Sequence, residues 1–247
     1  MLRAMLAAAL LLGACGEEKE PIDTGSFDPQ ADPDGDGLSN AEEERLGTDN
    51  RNPDSDGDGV EDGKEVNGNT DPLDASDKPY QGGWKIGACR DGVQPSGDAV
   101  GETAEDFVLE DRYGDQVQLH AFCDRVVLVA AMYMTPGDLD EANADAVADE
   151  LVALWADYER DGLMIVWLMG PNFDDVMPTS DDVNAFADVQ GLDFPVLLDT
   201  DWDVARRFTG GPDPQPPTYT LFDAGAKIAV IDSPLDVNQV TKLVDQL

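Results

Sequence analysis

The chain has 247 residues, which is room for one domain of medium size and an appended segment. Its 53 acidic and 15 basic residues give a net charge of −38. This balance excludes nucleic acid and anionic lipid surfaces as electrostatic partners, because the chain lacks the basic surface that both require. Cations are the partners that such a chain attracts.

Residues 1–14 predict a signal peptide that is removed from the mature protein. Their apolar run, Ala4–Leu12, is too short for a membrane-spanning helix, which needs about 20 such residues. The run leads into Leu-Gly-Ala before Cys15, which resembles the lipobox of bacterial lipoproteins. The resemblance implies a lipid on Cys15 that anchors the protein, and Gly16 at the next position favours the outer membrane. An ordinary signal peptide with a chance cysteine is the alternative.

Acidic residues are densest directly after this cysteine. Residues 16–80 contain 21 acidic and 5 basic side chains and almost no large apolar ones. Such a segment does not fold by burying a core. We predict an acidic tether over residues 15–30, cation-binding repeats over 31–78, a linker over 79–98 and a globular domain over 99–247.

The repeats are two acidic loops that begin 22 residues apart, and both fit the calcium-loop pattern D-x-[DN]-x-[DN]-G-x5-E. Calcium takes six to eight oxygens, which alternate residues of a tight loop, a backbone carbonyl at the seventh position and a final glutamate supply. The alternative is a solvated acidic linker. The predicted ligands are Asp32, Asp34, Asp36, the carbonyl of Leu38, Asn40 and Glu43 in the first loop, and Asp54, Asp56, Asp58, the carbonyl of Val60, Asp62 and Glu65 in the second.

The long helices that flank an EF-hand loop are missing, since only Ala41–Leu46 and a short stretch near Glu65 favour a helix. The segment instead resembles thrombospondin type 3 calcium repeats over Ala31–Asp77. The resemblance implies Asp49 and Asp71 as further candidate ligands, and Ca²⁺ as the cofactor, bound at about 10⁻⁴–10⁻³ M as in extracellular modules. Without the ion the carboxylates repel one another, which predicts a disordered segment that calcium converts into a compact spacer.

From residue 99 onward, strands and helices alternate, which predicts an α/β domain with a mostly parallel sheet. A long amphipathic helix is expected over Asp138–Tyr158, and Ser180 is expected to cap the next one. A short helix is predicted over Asp201–Phe208, and Leu235–Leu247 closes the fold. The predicted strands are Asp106–Leu109, Gln116–Leu119, Arg125–Met132, Leu163–Met169, Phe194–Leu198, Thr218–Phe222 and Lys227–Ile231.

This order of elements, with Gly101-x-x-Ala104-x-x-Phe107 in front and Pro217-Thr218 before the final hairpin, resembles the redoxin and alkyl-hydroperoxide-reductase branch of thioredoxin-like proteins. The resemblance covers Val100–Leu247. It implies a thioredoxin-like α/β fold, in which a central mixed sheet is flanked by helices, and it implies that Pro217 is a cis-proline.

In that family the central strand leads into a helix whose first turn carries a reactive cysteine, stabilised as the thiolate by the helix N-terminus. Here the corresponding residues are Thr135, Pro136, Gly137 and Asp138. Whether these residues are aligned with the C-x-x-C motif of the family or with the T-x-x-C motif of its peroxidases, none of them is a cysteine. We therefore expect no catalytic residue here. The four residues suit a helix start with Thr135 as the N-cap, and a catalytic role for Asp138 is the alternative.

Cys89 and Cys123 remain as a possible pair, and an exported protein keeps its disulfides. We interpret them as a structural bridge, with a redox-active remote pair as the alternative. His120 is the single histidine and has no second soft ligand near it, which argues against a transition-metal site. Met132 and Met134 are typical of core packing. The loops 171–179 and 210–217 border the family's active-site position and are candidate contacts for a partner.

Three functions therefore compete. The favoured one is a membrane-anchored calcium-binding lipoprotein whose redox-inactive thioredoxin-like domain serves as a binding or scaffold module for an unidentified protein partner. The second is a thiol-disulfide oxidoreductase or peroxidase that uses Cys89 and Cys123. The third is calcium-dependent adhesion or envelope structure with a passive globular domain.

Overall fold

A computed structural model describes residues 27–133, 141–171, 176–208 and 216–247. The helices are α1 (Asn40–Leu46), α2 (Asp62–Gly68), α3 (Glu141–Tyr158), α4 (Ser180–Gln190), α5 (Asp203–Arg207) and α6 (Val237–Val244). The strands are β1 (Val108–Glu110), β2 (Gln116–Gln118), β3 (Val126–Tyr133), β4 (Leu163–Gly170), β5 (Val196–Leu198), β6 (Thr218–Asp223) and β7 (Lys227–Ser233). No helix in the described part of the chain combines the length and apolarity that a bilayer crossing requires.

Five strands form the central sheet in the order β5-β4-β3-β6-β7. Strands β3, β4 and β5 are parallel, whereas β6 runs antiparallel to both β3 and β7. Every residue of β4 and all but the last of β3 are buried, as the continuous apolar runs predict. Helix α3 packs against β4, α6 against β3 and α4 against β5. The predicted α/β class with a mixed central sheet flanked by helices is confirmed.

The N-cap of helix α4 lies one residue before the predicted one. Thr179, and not Ser180, is the N-cap: its hydroxyl oxygen accepts the N–H of Asp182 at 3.3 Å. The carboxylate of Asp182 in turn accepts the N–H of Thr179 at 2.8 Å. This reciprocal capping box needs an acidic side chain three residues after the cap: Thr179 has Asp182 there, whereas Ser180 has Val183. The local sequence therefore favours Thr179 as the cap.

Residues 79–98, expected as a linker, form an arm folded onto the globular domain. Tyr80, Trp84 and Ile86 of the arm are buried in the same core as the central sheet. The indole Nε1 of Trp84 donates a hydrogen bond to the carbonyl oxygen of Asp193 at 3.0 Å. Each large apolar side chain that is fully buried contributes about 1.5–3 kcal/mol, so three within seven residues suffice to hold the arm down.

The predicted pairing of Cys89 with Cys123 is confirmed by a disulfide with a Cα–Cα distance of 6.0 Å. Cys123 is buried directly before β3, while Cys89 lies on the arm. A Cβ on Gly87 would lie 2.9 Å from the Sγ of Cys123, so a glycine there lets the arm approach the bond. The disulfide thus ties the arm to the amino end of the central strand.

Candidate calcium sites

The first acidic loop gathers Asp32, Asp34 and Asp36 so that one carboxylate oxygen of each lies within 4.8 Å of the others. Gly35 and Gly37 turn the chain at φ values of 82° and 100°, which side chains rarely adopt. Their N–H groups donate to the two carboxylate oxygens of Asp32 at 2.7 and 3.1 Å. The backbone itself therefore holds the first carboxylate at the mouth of the loop.

The second loop repeats this arrangement with Asp54, Asp56 and Asp58, whose carboxylate oxygens also approach within 4.8 Å. The N–H groups of Gly57 and Gly59 donate to Asp54 at 2.8 and 3.0 Å, as the corresponding glycines do in the first loop. Local sequence thus produces the same cluster twice. Each cluster brings together negatively charged carboxylate oxygens, which are the ligands that a hard cation binds.

Helices α1 and α2 place a glutamate behind each loop. Glu43 is 1 % exposed and Glu65 is 0 % exposed. Among the described residues, none donates a hydrogen bond to any of their four carboxylate oxygens. A buried carboxylate without a partner is strongly unfavourable, so this arrangement calls for a cation. The donor set consists of oxygens only, and it fits Ca²⁺.

The same burial perturbs the titration of these two acids. Desolvation, followed by the negative charge of Asp56, raises the pKa of Glu65 to about 8. Desolvation, followed by the charge of Asp34, raises the pKa of Glu43 to about 7. Both groups have an ordinary pKa of 4.5, so in the metal-free protein at pH 7 Glu65 is mostly protonated and Glu43 is about half protonated.

Calcium binding at pH 7 is therefore expected to release protons, because the ligands must be ionised. The raised pKa values also make stability depend on pH. Without metal, the free energy of unfolding should fall as pH rises from about 4.5 toward about 8, because the two acids ionise less readily in the folded state than in the unfolded one. Titration calorimetry in two buffers of different ionisation enthalpy measures the release. The apparent binding enthalpy should depend on the buffer at pH 7 and not at pH 9.5. Equal enthalpies in both buffers at pH 7 would contradict the prediction.

The ninth position of each loop is engaged in hydrogen bonds. Asp62 is fully buried, and its two carboxylate oxygens accept the N–H and the hydroxyl of Ser55 at 2.8 and 2.7 Å. The side-chain oxygen of Asn40 accepts from the amide of Asn50 at 2.6 Å, and its own amide donates to the carbonyl of Asp28 at 2.7 Å. Both side chains brace the loops in the structure, and their role as ligands stays a prediction.

The remaining predicted ligands lie at the edge of the clusters. Leu38 and Val60 occupy the seventh position, and their N–H groups donate to Asp36 and Asp58 at 2.8 and 2.7 Å. Asp49 and Asp71 are exposed and belong to neither three-aspartate cluster. Their carboxylates accept N–H groups two residues along the chain. Their role as ligands stays a prediction.

Two contacts at the loops have no signal in the repeat pattern. The N–H of Gly63 donates to Oδ2 of Asp36 at 3.2 Å, and a Cβ on Gly63 would lie 2.2 Å from the carbonyl oxygen of Asp36. The second repeat therefore stacks directly on the first. The ammonium of Lys78 lies 2.8 Å from the carbonyl oxygen of Asp58 and 3.0 Å from its Oδ2. Both contacts join residues at least 20 positions apart.

Of the residues that correspond to the family's active site, the structure describes Pro217 but not the turn after β3. Residues Thr135, Pro136, Gly137 and Asp138, like Cys15, lie outside the described residues. The peptide bond between Pro216 and Pro217 is cis, which agrees with the prediction. His120 is buried, with Nε2 2.9 Å from the carbonyl oxygen of Ala104, and Met132 is buried in the core.

Comparison with known families confirms both predicted resemblances. Residues 100–231 match the AhpC/TSA family, and residues 32–49 and 54–75 match the bacterial TSP3 repeat. The repeat matches cover both aspartate clusters and both buried glutamates. No curated protein sequence matches this chain.

Several solved structures are similar to this chain at low sequence identity. The thioredoxin domain of a thiol-disulfide oxidoreductase from Bacteroides vulgatus is 19 % identical, with a TM-score of 0.47, and covers 59 % of this chain and 98 % of that one. A thiol:disulfide interchange protein from Chlorobium tepidum is 17 % identical, with a TM-score of 0.45, and covers 62 % and 96 %. A secreted disulfide oxidoreductase from Mycobacterium tuberculosis is 14 % identical, with a TM-score of 0.43, and covers 57 % and 96 %.

Proposed function

Because the chain belongs to the AhpC/TSA family and carries bacterial TSP3 repeats, we propose that it is a calcium-binding lipoprotein that displays a redox-inactive thioredoxin-like domain as a binding or scaffold module. One observation carries the calcium assignment: the carboxylates of Glu43 and Glu65 are buried behind the aspartate clusters, and no residue that the structure describes donates a hydrogen bond to them. Such groups are stable only when they are protonated or bound to a cation.

The ion would be held by the aspartates of each cluster together with the glutamate behind it. When bound, calcium supplies positive charge that neutralises the repelling carboxylates. The protein residues supply the rest: the turn glycines position the first aspartate, and the two short helices carry the glutamates. In this proposal calcium is structural and makes the repeats a compact spacer.

The position of the disulfide supports redox inactivity. The sequence has three cysteines: Cys15 follows the signal peptide, and Cys89 is bonded to Cys123. That bond lies before the amino end of β3, whereas the family's reactive thiol would follow the carboxyl end. The eight residues of β3 separate the two ends by roughly 25 Å. At the carboxyl end the sequence has Thr135 and Asp138, which carry no thiol.

Activity assays on the mature protein test this reading. We expect no turnover in the reduction of a protein disulfide by dithiothreitol, or in the consumption of hydrogen peroxide, above that of the Cys89→Ser/Cys123→Ser double variant. A thioredoxin with a C-x-x-C motif is the positive control. Loss of the 34-residue closure should destabilise the double variant by about 3–4 kcal/mol, so circular dichroism must show that it is folded. Turnover that either cysteine substitution abolishes would identify an oxidoreductase or peroxidase instead.

The proposal also places a lipid on Cys15 and the mature protein on the outer membrane. The acidic residues 15–30 then act as a tether, and the calcium repeats hold the globular domain away from the lipid, where it meets a protein partner. The chain expressed with its signal peptide should fractionate with membranes, and Cys15→Ser should move it to the soluble fraction. A wild-type protein found in the soluble fraction would contradict the anchor.

A further inference from the structure

The two acidic loops are built alike, but among the described residues a lysine lies beside the carboxylates of the second loop and not of the first. We propose that Lys78 is a tethered counter-ion of the second loop, which lowers the calcium affinity of that loop relative to the first. The proposal rests on the calcium binding proposed above and assigns an affinity-determining role to a residue outside the repeat pattern.

The two loops differ in the surroundings of their third aspartate, Asp36 in the first and Asp58 in the second. In both loops its Oδ1 accepts the N–H two residues ahead, at 2.8 Å for Asp36 and 2.7 Å for Asp58. The Oδ2 atoms differ. That of Asp36 accepts the neutral N–H of Gly63 at 3.2 Å, whereas that of Asp58 lies 3.0 Å from the charged Nζ of Lys78. One loop therefore has a dipole where the other has a full positive charge.

Lys78 reaches this carboxylate from solvent. Its side chain is 45 % exposed, while that of Asp58 is 1 % exposed. The ammonium donates a hydrogen bond to the carbonyl oxygen of Asp58 at 2.8 Å, which fixes it beside the cluster. In the described part of the chain, no lysine or arginine forms an ion pair with an aspartate of the first cluster.

A calcium ion bound by Asp58 would lie about 2.3–2.6 Å from one of its oxygens, and so within a few ångströms of this ammonium. Two cations that close repel each other through a mostly buried site, where solvent screens weakly. Calcium must either bind against this repulsion or displace the ammonium from Asp58 into solvent. Both routes reduce the affinity of the second loop, so the first loop fills at a lower calcium concentration.

The position of Lys78 also links the second loop to the arm. The next residue toward the N-terminus, Asp77, receives a two-bond ion pair from Arg90 at 2.8 and 2.9 Å, and Arg90 follows Cys89 of the disulfide. Release of Lys78 from Asp58 therefore takes place at the junction between the repeats and the globular domain.

Lys78→Gln tests the proposal, with Lys64→Gln as the matched control. Both changes remove one positive charge from the second repeat region, but the ammonium of Lys64 pairs with Glu61, 3.0 Å away on the exposed face of α2. Calcium binding is measured by titration calorimetry on the mature chain in a Glu43→Gln background, which leaves the second loop as the site observed. We expect Lys78→Gln to raise the affinity of that loop by roughly 3–10-fold over Lys64→Gln.

Three further measurements make the outcome decisive. Lys78→Arg keeps the charge and should bind calcium like the parent. In a Glu65→Gln background, where the first loop is observed, Lys78→Gln and Lys64→Gln should be equal. The gain should shrink at high salt. An affinity that falls with Lys78→Gln, or equals that of Lys64→Gln, overturns the proposal and shows that Lys78 only positions Asp58. A wild-type chain that binds no calcium overturns the proposed function as well.

Discussion

Replacing Glu65 with glutamine is expected to lower the calcium affinity of the second loop by more than about 100-fold, while the first loop still binds. Loss of an outer-shell partner already costs roughly 10–100-fold in metal affinity, and Glu65 is placed as a direct ligand. Glutamine has nearly the same shape and cannot ionise, in a position where no described residue donates a hydrogen bond to the carboxylate. The metal-free variant should therefore be at least as stable as the wild type, which separates loss of binding from loss of folding.

Calorimetry and thermal or chemical unfolding with and without calcium measure this effect. At 100 times the dissociation constant, an ion that binds only the folded state raises the free energy of unfolding by about 2.7 kcal/mol per site. The variant should lose the contribution of one site. Glu44→Gln is the control, because it removes the same charge from an exposed position of α1. If both variants bind two calcium ions with wild-type affinity, Glu65 is not a ligand.

Truncating Trp84 to alanine should lower the free energy of unfolding by about 3–5 kcal/mol, the range for large aromatic side chains in a core. The ring is 8 % exposed, and a Cβ on Gly82 would lie 2.5 Å from it, so the arm's own backbone covers the indole. Its Nε1 also donates to the carbonyl of Asp193. An arm that served only as a flexible linker would tolerate the same change without measurable loss.

Urea unfolding followed by circular dichroism gives the magnitude, and limited proteolysis reports whether the arm has detached. Trp84→Phe keeps most of the buried ring but leaves the carbonyl of Asp193 without its donor, so about 1 kcal/mol should be lost. Tyr113→Ala is the control. The centroid of the Tyr113 ring lies 6.1 Å from that of Trp84, but Tyr113 is 45 % exposed, so its truncation should cost less. A loss below 1 kcal/mol for Trp84→Ala would contradict the docked arm.

Features whose determinants lie close together in the chain could be predicted from the sequence. The aspartate clusters form because alternate residues and two glycines act within six positions, and the same bonds recur in both loops. Strand β3 is a continuous apolar run, so its burial at the centre of the sheet follows from hydropathy alone. The disulfide could be paired because the predicted lipidation of Cys15 leaves two other cysteines in the sequence.

Other features depend on which distant segments meet, and local patterns do not contain that information. The sequence predicts a linker over the arm because its buried residues follow no helix or strand period. Their partners are distant in the chain: Asp193, which accepts from Trp84, lies 109 residues away. Lys78 belongs to no sequence motif, and its ammonium reaches Asp58 only through the path that the chain takes after α2. Local sequence determined the two loops and the strands, whereas the packing of these elements decided how the loops stack and which cation lies beside them.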